Sequence, residues 1–306
     1  MTELLSVYHW TIAAGVLTSV ALALIGSQLA SRSQSVQALV ISQGSSLGAV
    51  AGFGFLHLLD SSHDHGEFSL LSLPLAGSLL AGSGAALLCE KMIRPSLPAR
   101  NSHYIALFAI FLSLTYLVTA LVPSLETHMA TQYFGDLAVI TDRESQLSLV
   151  IAFIALCLLG HFWRTISAAS FEIATFGRVL PGGSKPAVNR LFVGLALITI
   201  CVSIQFMGLL FTISALFLVP VILSHKLEGL WNYTIATALI AAIGTVSGFI
   251  LSLWHGSLPT VPAITLSFLL IGACARLMPA VNGFMFMNRR SLGNTGGKGR
   301  KTEKTS

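Results

Sequence analysis

Runs of about twenty apolar residues recur along the whole chain, and this recurrence limits the fold more than any motif does. A bilayer core about 30 Å thick needs roughly 20 apolar residues to cross as a helix. Nine runs qualify: 9–30, 36–59, 69–91, 104–123, 146–166, 190–208, 209–224, 232–255 and 261–280. The sixth and seventh abut at Met207-Gly208. The seventh is short and carries Pro220, so it reads as a tilted, broken or half-crossing helix, and eight full spans is the alternative count. Composition agrees. Of 306 residues, 54% are hydrophobic and 9% charged. A water-facing globular surface needs roughly a quarter charged residues. Disordered chains and coiled coils also need more charge than this. The expected fold is all-α: a polytopic helical membrane protein of eight or nine transmembrane helices. Residues 1–284 form the membrane domain, and 285–306 form a basic, solvated tail near anionic lipid. The first run is too long for the apolar core of a signal peptide and no basic stretch precedes it, so it is expected to remain as a span. Cys89, Cys157, Cys201 and Cys274 fall in or beside apolar runs and read as small buried hydrophobes.

Lysine and arginine set the orientation. With the N-terminus outside and the runs alternating, 16 of the 17 fall inside, Arg32 among them, and only Arg143 lies outside. Eight of the 12 acids fall outside. This split needs an odd number of crossings, or a re-entrant element near the seventh run.

Several function classes lack their motifs. No G-x-x-x-x-G-K-[ST] occurs, so the chain does not bind ATP through a P-loop, and no H-E-x-x-H occurs. Ala81-Gly82-Ser83-Gly84 suits a close helix contact better than an intramembrane serine site. The spans carry no acid placed for a proton relay. A conduit driven from elsewhere fits better than a stand-alone secondary transporter, which is the alternative.

Three stretches depart from plain lipid-facing helix. In the second span, Gly44, Gly48 and Gly52 form a stripe for close helix approach. Gln43, Ser46 and His57 share another face, which either lines a transport pathway or hydrogen-bonds to neighbouring helices. The outer loop DSSHDHGE offers His63, Asp64 and His65 as ligands for a borderline cation, or is a solvated loop. The inner segment 167–181 mixes Phe171, Ile173 and Phe176 with Glu172 and Arg178 before Leu180-Pro181-Gly182-Gly183 breaks it. It reads as a short cytosolic helix that lies on lipid or docks a partner.

These residues together resemble the permease subunit of metal-ion (zinc, manganese or iron) ABC importers, the ABC-3 family. The resemblance rests on four stretches: VQALVISQGSSLGAV with Ser45, Leu47 and Gly48; TQYFGDLAVITDRE with Phe134, Gly135, Asp136, Leu137, Val139 and Thr141; FEIATFGRVL with Phe176, Gly177, Arg178, Val179 and Leu180; and MGLLFTISALFLVPVILSHKL with Gly208, Leu209, Leu210, Ser214, Ala215, Leu216 and Pro220. It implies a homodimeric, non-enzymatic permease in a bacterial inner (plasma) membrane, with its pathway at the dimer axis. It implies a separate cytosolic ATP-binding subunit, which uses ATP and Mg and docks on Glu172, Phe176, Gly177 and Arg178. It also implies an external (periplasmic or extracellular) binding protein that delivers the divalent metal, zinc or manganese. No cofactor is held by this chain itself, membrane lipid surrounds it, and nucleic acid is not a partner. The family's second helix usually carries an Asp and a His one turn apart, and these positions fall on Leu39 and Gln43 here. Leu39 cannot ligate a metal and Gln43 offers only a neutral amide. A mid-membrane metal site of the usual kind is therefore not expected, and a family permease with altered or non-metal cargo is the second alternative.

Overall fold

The computed structural model describes residues 8–59, 67–91, 97–176, 186–224, 230–255 and 258–277. Eleven helices are described: α1 (His9–Ser31), α2 (Ser35–Leu59), α3 (Glu67–Lys91), α4 (Leu97–Leu121), α5 (Glu126–Phe134), α6 (Asp142–His161), α7 (Trp163–Phe176), α8 (Pro186–Met207), α9 (Leu209–Leu223), α10 (Leu230–His255) and α11 (Thr260–Leu277). Among the described residues, 8 helices are long and apolar enough to cross a membrane. The remaining run, the seventh, is α9, a short helix interrupted by a π turn at Ser214–Leu218.

Two boundaries differ from the sequence reading. The fifth span ends at His161, where the backbone leaves helical geometry at Phe162, and the helix expected over 167–181 starts earlier, at Trp163. Residues 163–166, which the expected span 146–166 included, instead open α7, whose buried stripe holds Ile166, Ala169 and Ser170. The start of α6 is fixed by a capping box. The Thr141 hydroxyl accepts from the Glu144 amide, and the Glu144 carboxylate accepts from the Thr141 amide.

Helix α1 is the central post, and short hydroxyl side chains pin it. Thr11 pairs with Ser145 and Thr18 with Ser148 on α6, and Ser19 meets Thr245 on α10. In lipid there is little hydrophobic gain from helix association, so small residues and such bonds, each about 0.6 kcal/mol, supply the contact. Gly26 lets α1 lie directly against the backbone of Leu216 in the π turn.

A second group contains α2, α3 and α4. The glycine stripe of α2 meets α3: Gly44 faces Ala81 and Ala85, Gly48 faces Gly77, and Gly52 faces Leu73 and Pro74. Helix α8 ties the two groups together, because the Cys201 thiol meets the Ser45 hydroxyl at 3.0 Å beside Gly82. Outward faces are apolar, as on α4 at Ile105, Ile110, Leu117 and Leu121, which suits a surface covered by lipid.

Candidate transport pathway and docking helix

The short helix α5 determines what Gln43 faces. After α4 the chain turns at Pro123–Leu125 and runs back along α2. Leu125 meets Gly54, and His128 stacks on Phe53 at 4.5 Å between ring centroids. Tyr133 then reaches Gln43, whose amide nitrogen donates to the Tyr133 hydroxyl and, at 3.4 Å, to Thr115 on α4.

Two glycines hold α5 in this place. Gly135 (φ 65) and Gly208 (φ 90) both adopt left-handed backbone and cross face to face. A Cβ on Gly135 would strike the Met207 carbonyl, and one on Gly208 would strike the Gly135 backbone. Immediately after the crossing, the Asp136 carboxylate accepts from the Thr260 hydroxyl at 2.9 Å, and Thr260 in turn accepts from the Leu137 amide. Leu137 is thereby driven between α1 and α10, against Gly15 and Thr245.

Neutral polar groups are buried in this part of the bundle. Gln43 and Ser46 are fully buried, with Tyr133 of α5 against Gln43. Gln43 Oε1, Ser46 Oγ, both amide atoms of Gln132 and Gln205 Oε1 are buried without a protein hydrogen-bond partner. Helical geometry gives the side on which two of them lie. Ser46 lies within about 20° of Phe53 on α2, and so points to the seam between α5 and α8. Gln205 sits between Cys201, which meets α2, and Gly208, which meets α5, on one face of α8. No group of three or more His, Cys, Asp or Glu suited to a metal occurs among the described residues. His57 belongs to α2, but its side chain lies outside the described ones, and so do His63, Asp64 and His65.

Helix α7 presents two faces. Ile166, Ala169 and Ser170 are buried against the helix bundle. Phe171 (70% exposed) and Phe176 (56% exposed) point away, with Glu172 half-buried beside them. Gly177 and Arg178 lie outside the described residues. The family model for the ABC 3 transport family matches residues 5–277.

The chain belongs to the ABC 3 transport family.

Two solved structures share the family member's fold. PsaBC from Streptococcus pneumoniae, in complex with Fab, aligns with a TM-score of 0.68 at 16% identity, over 89% of this chain and 93% of that one. An inward-facing metal-chelate type ABC transporter aligns with a TM-score of 0.58 at 15% identity, over 92% of this chain and 88% of that one. No curated protein matches the sequence. This ABC 3 family protein is a multi-pass, all-α membrane permease.

Sequence reasoning placed Gln43 and Ser46 on one polar face but missed Thr115, Gln132, Tyr133 and Gln205. Thr115 lies on α4, Gln132 and Tyr133 are neighbours on α5, and Gln205 lies on α8, so no local spacing links the three helices. Gly135 and Gly208 themselves were visible as family positions.

Proposed function

We propose that the chain is the permease subunit of an ABC importer that moves a divalent metal ion, zinc or manganese, across a bacterial inner membrane. The family match over residues 5–277 carries this reading. A second copy completes the transporter. A separate cytosolic subunit hydrolyses ATP with Mg and docks on the exposed face of α7, at Glu172 and Phe176, with Gly177 and Arg178 just beyond. An external binding protein delivers the ion, and the pathway runs past Gln43 and Ser46 beneath α5, with His57 further along α2.

The donor set favours a second reading of the cargo. Amide and hydroxyl oxygens without a carboxylate, thiolate or imidazole hold a bare dication weakly, because its lost hydration finds no opposite charge. The same groups hydrogen-bond well to a hydrated ion or a chelate. Co-purification with the candidate ATPase, followed by ATP hydrolysis in liposomes with zinc, manganese or a metal chelate, separates these readings. Stimulation by free metal supports the first, and stimulation by chelate alone supports the second. Absence of any ATPase partner removes both and leaves the stand-alone transporter.

A further inference from the structure

Arg32 is the most enclosed charge described outside the spans. It caps the cytosolic end of α1, yet it is only 3% exposed. Its guanidinium reaches two other elements at once. Nε donates to Ser170 Oγ of α7 at 2.8 Å. One terminal nitrogen donates to Asn189 Oδ1 of α8 at 2.7 Å, and the other points to the Ile166 carbonyl of α7 at 3.5 Å. The guanidinium carbon lies 4.2 Å from the centroid of the Phe192 ring on α8. One turn back on α1, Gln28 accepts from the Ser170 hydroxyl at 2.7 Å and donates to Ser167 at 3.4 Å. No carboxylate of the described residues pairs with Arg32. Burial lowers its pKa to about 10, so it is still a cation at neutral pH.

A buried cation that no described carboxylate pairs is an expensive way to stabilise a fold, since an apolar residue of similar volume would often serve as well. The rigid, planar fork supplies something else: donors that reach two helices at once in fixed geometry. The buried face of α7 is narrow, and Arg32 and Gln28 engage Ile166, Ser167 and Ser170 on it. From Asn189, α8 runs about 24 Å, at 1.5 Å per residue, to Gln205 and the Gly208 crossing.

We infer that Arg32 is a positioning residue that clasps the docking helix α7 to α1 and α8, so that displacement of α7 moves α8 and with it Gln205 and the Gly208 crossing. This inference rests on the proposed role of α7 as the ATPase docking helix.

Two measurements test it, and only one needs the ATPase. In the permease alone, hydrogen exchange of the amides at 166–176 is compared between the unmodified protein and Arg32→Met. Release of the clasp should speed their exchange by about tenfold while α10 and α11 stay unchanged. In the reconstituted complex, with zinc or manganese chloride as the probe, Arg32→Met should leave ATP hydrolysis in place. Ions moved per ATP should fall by about fivefold or more. Arg32→Lys keeps the charge but cannot span Ser170 and Asn189 together, so it should fall in between. A residue that merely fills space would lower transport and hydrolysis in proportion, and an unchanged ratio overturns the inference. Unchanged exchange in α7 overturns it too. If Arg32→Met does not accumulate, Asn189→Leu, which removes one arm and leaves the cation, must reproduce the fall in ratio, and its failure to do so also overturns the clasp. If no ATPase binds the unmodified permease, the proposed function fails, while the exchange measurement still decides the contact.

Discussion

Gln43 shows how one residue type sets what a buried site can hold. Its amide nitrogen is engaged by Tyr133 and Thr115, while its oxygen is buried without a protein partner. An amide oxygen is a weak zinc ligand, so the unmodified protein should bind zinc weakly at this level. Leu39 lies one turn below on a similar face of α2. Leu39→Asp with Gln43→His should therefore raise zinc affinity by at least about tenfold, or about 1.4 kcal/mol, read by competition titration of the purified permease. Transport should slow if the ion is then held too long. Tight binding by the unmodified protein that is lost in Gln43→Ala would overturn this account. Loss in His63→Ala with His65→Ala would place the metal in the outer loop. The weak donor at Gln43 was legible in the sequence, because residue identity alone fixes donor chemistry. The enclosure of Arg32 was not, because a charge just past an apolar run looks like any inner surface charge until α7 folds over it.

Elements joined by backbone contact leave least room for substitution. The glycine stripe of α2 was readable from its spacing of four, since a helix puts such residues on one side. The Gly135–Gly208 crossing was not readable from spacing, because its two members lie in separate segments and no local period links them. Gly135→Ala and Gly208→Ala should each destabilise the fold by about 2–4 kcal/mol, through left-handed backbone and a Cβ driven into the opposite chain. Thermal unfolding in detergent should show both melting lower than Gly84→Ala, where a Cβ meets nothing within 4 Å. The outward face of α7 should behave in the opposite way. Phe171→Ala with Phe176→Ala alters the exposed apolar face of α7, so folding and insertion should be unchanged while capture of the ATPase is lost. Normal capture by that variant would move the docking site elsewhere.

For the whole molecule, the open quantity is which side each end occupies. Eight full crossings alone would return both ends to one side of the membrane. The charges demand opposite sides: 16 of 17 Lys and Arg fall inside only if the number of effective crossings is odd. Helix α9 resolves the conflict. It begins at the Gly208 crossing and runs back as a short ninth segment, so α10 and α11 alternate as the charges require. The side-chain contacts form two matching sets. Arg32, Ser170 and Asn189 bring the end of α1, the helix α7 and the start of α8 together, which the charge count places inside. Asp136 and Thr260 bring the segment after α5 and the start of α11 together, which it places outside. Single cysteines at Ser62→Cys and Ser184→Cys, introduced after replacement of the four native cysteines, should therefore separate cleanly. An impermeant maleimide added to intact cells should label position 62 and leave position 184 unlabelled until the membrane is opened. Labelling of 184 but not 62 would invert the molecule and place the docking face of α7 on the wrong side of the membrane from any source of ATP.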